Sequence, residues 1–121
     1  MYTKKEVGKI GEDISSKYLK NSNYEIINRN FFSKYGEIDI IAKDIKRNEV
    51  VFIEVKTRTN KTYGEPSEAI DQIKLKHIYK TAQYYIKQNK LEKAYIRFDA
   101  IEVYLSPNLV KANVNHILNI M

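Results

Sequence analysis

The stretch GEIDIIAKDIKRNEVVFIEVKTR (residues 36–58) holds two strongly apolar runs joined by a polar turn, and each run carries charged side chains among its hydrocarbon. Residues 37–43 and 50–57 are rich in isoleucine, valine and phenylalanine, as strands are, and residues 44–49 between them are the turn of a hairpin. Strand side chains alternate faces, so Glu54 and Lys56 share one face and Ile53 and Val55 the other, while Glu37 and Asp39 oppose Ile38 and Ile40. A turn centred between Lys46 and Arg47 sets Asp39 opposite Glu54, Glu37 opposite Lys56 and Ile41 opposite Phe52. A register different by one residue would flip one strand's faces. In the centred register two carboxylates face each other directly, with Cβ atoms about 5 Å apart, which destabilises a sheet.

At about 4 Å and an effective dielectric of about 20, two negative charges repel by roughly 4 kcal/mol, so this pair needs compensation. Two kinds are compatible with the spacing. A structural ion cluster would have Lys56 paired with Glu37 or Glu54. A divalent cation would remove the repulsion more fully, since two carboxylates with a backbone carbonyl and waters form the all-oxygen ligand set that Mg²⁺ or Mn²⁺ prefers.

Outward from this hairpin, Val7, Ile10, Ile14 and Tyr18 recur at steps of three or four and predict a helix over residues 3–20, opened by a capping box of Thr3 and Glu6. Asn21-Ser22-Asn23 breaks it, and residues 24–32 (YEIINRNFF) alternate loosely as a strand. Residues 60–66 (NKTYGEP) read as a loop, with Pro66 at the first turn of a second helix that runs to about residue 89. Ile70, Ile73, Ile78, Ala82, Tyr85 and Ile86 form its expected core face. A strand over 94–105 alternates Ile96, Phe98 and Ala100 against Arg97, Asp99 and Ile101, and 110–117 is an edge strand.

The chain of 121 residues suffices for one core, so residues 1–121 are expected to form a single domain. No apolar run approaches the roughly 18 residues of a membrane span, and the first residues lack the apolar stretch of a secretion signal. With no cysteine, disulfides and thiolate zinc sites are excluded, and a cytoplasmic location is expected. The formal charge of +6 favours a polyanionic partner such as nucleic acid, although the abundance of lysine, asparagine, isoleucine and tyrosine also fits an AT-rich coding sequence.

Four blocks in order, GEDISSKYL (11–19), GEIDIIA (36–42), VFIEVKTR (51–58) and RFDAIEV (97–103), resemble the YraN-like family of small bacterial proteins. The D…ExK core is also similar to the PD-(D/E)XK, restriction-endonuclease-like nuclease superfamily, archaeal Holliday junction resolvases included. The resemblance implies an α/β fold of that type, a mixed central sheet with flanking helices in the order α-β-β-β-α-β. It implies a nuclease that hydrolyses phosphodiester bonds in DNA, including branched or single-stranded regions, with Mg²⁺ or Mn²⁺ as cofactor and a homodimer as the acting form. Carried over by position, the metal-binding acidic pair falls on Asp39 and Glu54, the strand lysine on Lys56, and the carbonyl of Val55 faces the ion. Many resolvase-like sites are completed by an acidic residue on the first helix, and Glu12 is the matching position. Glu12 lies on the flank shared by Gly8 and Leu19, from which it can point along the sheet's edge. The nominal pattern has proline before the aspartate, where this sequence has Ile38.

These residue types suit the chemistry. Hydrolysis of a phosphodiester puts negative charge on a nonbridging oxygen and on the leaving alkoxide, where a cation acts. Lys56 would orient the attacking water, deprotonate it, or add positive charge; spacing does not choose among these, nor between one ion and two, for which Glu12 and Glu37 make a second partial site. Arg58, Lys74 and Lys76 are candidates to hold nucleic-acid phosphates. Arg97 and Asp99 share a strand face, as a structural ion pair would. His77 and His116 stand in no ligand spacing, and no nucleophile elbow or phosphate-cradling loop is present. The alternative function is a non-catalytic nucleic-acid-binding or partner-binding module on the same fold.

Overall fold

The capping box forms as the sequence predicts. Thr3 Oγ1 accepts the Glu6 amide at 3.1 Å and Glu6 Oε1 accepts the Thr3 amide at 2.8 Å, and the helix α1 (Lys4–Asn21) follows. The computed structural model describes residues 2–59 and 72–121. After α1 come β1 (Tyr24–Ser33), β2 (Gly36–Asp44), β3 (Glu49–Thr59), α2 (Gln72–Gln88), β4 (Tyr95–Leu105) and β5 (Ala112–Ile117). The expected loop over 60–66, Pro66 at a helix start and Ile70 on a core face lie outside the described residues. None of the described helices is long and apolar enough to cross a membrane.

The strands form one sheet in the order β1-β2-β3-β4-β5, antiparallel throughout except for the parallel pair β3 and β4. This is an α/β fold with a mixed five-stranded sheet, in the order α-β-β-β-α-β-β, consistent with a nuclease-like architecture. A parallel pair needs a crossover connection, and α2 lies between β3 and β4 in the chain. The two helices cover opposite faces. Leu19 of α1 packs with Ile40, Val51, Ile53 and Ile101, whereas Ile78, Ala82 and Tyr85 of α2 pack with Ile38, Ile41 and Phe52.

Two sequence expectations are corrected. Ile73 is 69% exposed. It is displaced by about 140° around the helix from Ile78, whose stripe faces the sheet. Ile38 and Ile40, expected on one face, pack in opposite layers. The cause is an irregularity: Asn30 of β1, opposite this point, adopts a left-handed conformation with φ 54°, and β2 leaves its ladder with β3 here. On α1, Val7, Ile10, Ile14 and Tyr18 pack against the core as their spacing predicts, partly buried, while Gly11, Ser15 and Leu19 form the innermost line. A Cβ on Gly11 would lie 1.8 Å from Thr57 Oγ1. Only glycine lets the helix backbone settle onto β3 at this place.

One end of the sheet is closed by a buried polar network. Arg97 bonds Asp44 at 2.8 Å, Glu49 at 2.7 Å, Asp99 at 2.9 Å and the Tyr24 hydroxyl at 2.6 Å. Asp99 also accepts from His116 Nε2 at 2.7 Å and from the Asn119 amide at 3.1 Å. Burial opposes ionisation of Asp99, but the bonds from His116 and Arg97 outweigh it and hold the carboxyl below the usual carboxylate range. Arg97 and Asp99 are thus the structural pair their shared face predicts.

Two outcomes follow for stability. Gly11→Ala should destabilise the fold by ~1–3 kcal/mol in urea unfolding, because overpacking against Thr57 outweighs alanine's better helix propensity of about 1 kcal/mol. Arg97→Met should cost ~3–5 kcal/mol, since it strands buried carboxylates without their cation; a loss under 1 kcal/mol would mean that the network carries no such role.

Candidate metal centre where two strands part

The hairpin register is the centred one, running from Asp44 opposite Glu49 to Ile40 opposite Ile53, and there the ladder ends. Beyond it β2 keeps its pairing with β1, with Phe32 opposite Glu37, while β3 keeps its parallel pairing with β4, with Lys56 beside Glu102. The two strands therefore part, and β3 presents unpaired backbone to the gap. Asp39 fills part of it: its Oδ2 accepts the Val55 amide at 2.8 Å. In an extended strand a residue's N–H and C=O point to the same side, so Val55 turns its carbonyl to the gap as well.

Glu54 precedes that amide and is 4% exposed. Its carboxyl and that of Asp39 line the same cleft, but Asp39 with Glu54 and Glu37 with Lys56 are not the ladder partners the centred register sets opposite each other, because the pairing stops at Ile40 and Ile53. Burial first, then the charge of Glu54 and hydrogen bonding to it, push the Asp39 carboxyl up to about 8, with Glu12 adding a smaller repulsion and the Val55 amide opposing. Two carboxylates so close do not both ionise at neutral pH without a cation. Among the described residues the cation paired with them is Lys74, whose Nζ is 2.5 Å from Glu54 Oε2. Asp39, Glu54, Lys74 and His77 line a cleft of about 280 Å³, room for an ion with its waters but below the usual span of small-molecule pockets.

Glu12 approaches from α1. Asn30 donates from Nδ2 to Glu12 Oε1 and to Glu37 Oε2, both at 3.1 Å, and Arg29 Nη2 lies 3.5 Å from Glu12 and 2.9 Å from Asp13. The amide joins the two glutamates that a second ion was expected to share. The left-handed backbone of Asn30, which asparagine tolerates better than most residues, aims its side chain between them.

The remaining candidates are spread around this core. Lys56 follows Glu54 on the same face, in register with Glu102, and among the described residues no ion pair joins it to Glu37 or Glu54. Arg58 lies further along β3, its Nε buried without a hydrogen-bond partner among the described residues. Lys76 is exposed, about 160° around α2 from Ile78. Asn30 was missed in the sequence, since a single asparagine carries no spacing signal.

The donor set suits a hard cation. Asp39, Glu54 and the Val55 carbonyl offer oxygen only, and Mg²⁺ favours one or two carboxylates with retained water. Among the described residues no three acidic or imidazole groups form a ready-made cage, so a cation held here would need water to complete its shell.

The raised Asp39 group has a measurable consequence. Between its unfolded value near 3.8 and about 8, the folded metal-free protein holds a proton that the unfolded chain has released. The stability that this proton contributes is complete below the unfolded value and is lost as pH rises through the folded one. In chelator, wild-type stability relative to Asp39→Asn should fall from pH 5 to 8 with a slope of up to ~1.4 kcal/mol per pH unit. Parallel pH profiles of the two proteins would contradict this.

Comparison with known proteins gives a consistent result. The model of the uncharacterised protein family UPF0102 matches residues 11–103. A UPF0102 protein of Caldanaerobacter subterraneus is 50% identical over 117 residues, covering 96% of this chain and 94% of the relative. UPF0102 proteins of Clostridium botulinum strains Loch Maree and 657 are each 56% identical over 106 residues, covering 87% of this chain and 85% of theirs. The chain belongs to the UPF0102 family, the YraN-like family its four sequence blocks resemble.

Proposed function

We propose that this protein is a Mg²⁺- or Mn²⁺-dependent nuclease that hydrolyses phosphodiester bonds in DNA. The observation that carries this reading is the buried Asp39–Glu54 carboxyl pair at the point where β2 and β3 part. An apolar sheet gains nothing in stability from such a pair, and its position matches the D…ExK resemblance of the sequence. The ion, when bound, would offset charge on the phosphate and its leaving oxygen and acidify water held there. Asp39 and Glu54 would hold the ion in place, and the Val55 amide fixes the Asp39 carboxyl by its hydrogen bond. Lys56, adjacent on the same strand face, orients the attacking water or adds positive charge beside the phosphate.

Nearby surface chemistry supports a nucleic-acid substrate with unpaired bases. Phe32, opposite Glu37 in the ladder, is 68% exposed, and the ammonium groups of Lys34 and Lys80 lie 5.3 Å and 5.7 Å from the ring centre of Tyr35. Exposed rings flanked by cations stack on bases and hold phosphates together. A homodimer, which would set two such sites on one branched DNA, belongs to the same proposal.

A second reading, a binding module without turnover, is favoured by one feature: Lys74 already neutralises Glu54. Incubation with linear, flap and four-way DNA and Mn²⁺ separates the two. The nuclease reading expects cleavage that chelation abolishes and that falls at least ~100-fold in Asp39→Ala, Glu54→Ala and Lys56→Ala, the scale of removing a preorganised charged group. Salt-sensitive DNA binding with no cleavage by the wild type would favour the module, and equal product from Glu54→Ala would identify a contaminating nuclease.

A further inference from the structure

Lys74 stands one helical turn before Ile78 on the stripe that α2 turns toward the sheet, where Ile78, Ala82 and Tyr85 bury hydrocarbon. That phase sends its side chain down into the cleft. Its ammonium reaches Glu54 Oε2 at 2.5 Å, with the Lys74 side chain 48% exposed and that of Glu54 only 4%. The contact joins a buried anion to a cation on a long, half-solvated stem. A buried carboxylate without a countercharge is costly, so this ammonium supports the site as it stands.

We propose that Lys74 is the resident cation of the metal-free site, neutralising Glu54 from the position a divalent ion takes and leaving when that ion binds. The inference rests on the reading of Asp39 and Glu54 as ion ligands. The ammonium contacts a Glu54 oxygen in the cleft that Asp39, Glu54 and Lys74 line together, so a divalent ion held by the same carboxylates would come close beside it. Two cations on one carboxylate also repel each other. Lys74 can yield because a lysine stem is flexible and this side chain is 48% exposed, whereas that of Arg97, at the other end of the sheet, is 2% exposed. The released ammonium comes to lie at the mouth of the cleft, at hand for a substrate phosphate. Lys74 is thus a positioning residue that keeps two carboxylates together before the ion arrives.

Titration calorimetry with Mn²⁺ tests this on wild type, Lys74→Met, Asp39→Asn and, as a control for net charge, Lys87→Met. Lys74→Met should bind Mn²⁺ about three- to tenfold more tightly than wild type, the scale of one partly exposed ion pair, and Lys87→Met within about twofold of wild type. Equal or weaker binding by Lys74→Met overturns the proposal. If wild type binds and Asp39→Asn does not, that result leaves the metal-site reading standing; if no protein takes up Mn²⁺, both fall. Should Lys74→Met fail to fold, lysine side-chain ¹⁵N NMR of the wild type decides. One protected ammonium signal should lose its protection on Mg²⁺ addition, and a signal unchanged by saturating Mg²⁺ overturns the proposal.

Discussion

The hydrogen bond from the Val55 amide to Asp39 is the constraint on which the site depends. It forms only because β2 and β3 stop pairing after Ile40 and Ile53. Had the ladder continued, a β2 carbonyl would take that amide, and the Asp39 carboxyl would have no fixed place. The parting of two neighbouring strands converts ordinary sheet backbone into a polar notch between two apolar layers. Into it project Asp39 from one strand, Glu54 from the other and Lys74 from α2.

The surroundings hold this notch open at an energetic cost. Asn30 adopts a left-handed conformation beside it, and a carboxyl pair is kept in contact with one member pushed up to about 8. Stability is supplied elsewhere, by two apolar layers and by the Arg97 network at the opposite end of β4. Buried charge thus serves two purposes in one sheet. Around Arg97 every anion is bonded and the group is closed; around Asp39 the carboxyls face a cleft, with Glu54 paired to Lys74. The first arrangement locks structure, and the second leaves a cleft beside the carboxyls for the divalent ion proposed above.

Much of this was legible in the sequence because it rests on periodicity. The hairpin register, the alternation along β4 and the approach of Asp39 to Glu54 follow from period-2 strands and a symmetric turn, and the capping box follows from the spacing of Thr3 and Glu6. What escaped depends on contacts that periodicity does not encode. Gly11 and Ser15 form the inner line of α1 because they are small, whereas apolar spacing points to Val7, Ile10, Ile14 and Tyr18. Ile73 looked like core because it is apolar, but the helix phase sets Lys74 on the inward stripe in its stead. The separation of Ile38 from Ile40 arises from a backbone irregularity at Asn30, which a strand-like run of letters does not announce.

The claim at the centre is that Asp39 and Glu54 lie together in order to hold a divalent cation. A crystal structure with Mn²⁺, read by its anomalous scattering, tests it most directly. The account predicts a single strong peak within coordination distance of both carboxylates, with the Val55 carbonyl and waters completing the shell. A peak elsewhere, or none at saturating Mn²⁺ with the two carboxyls still hydrogen-bonded to each other, would contradict it.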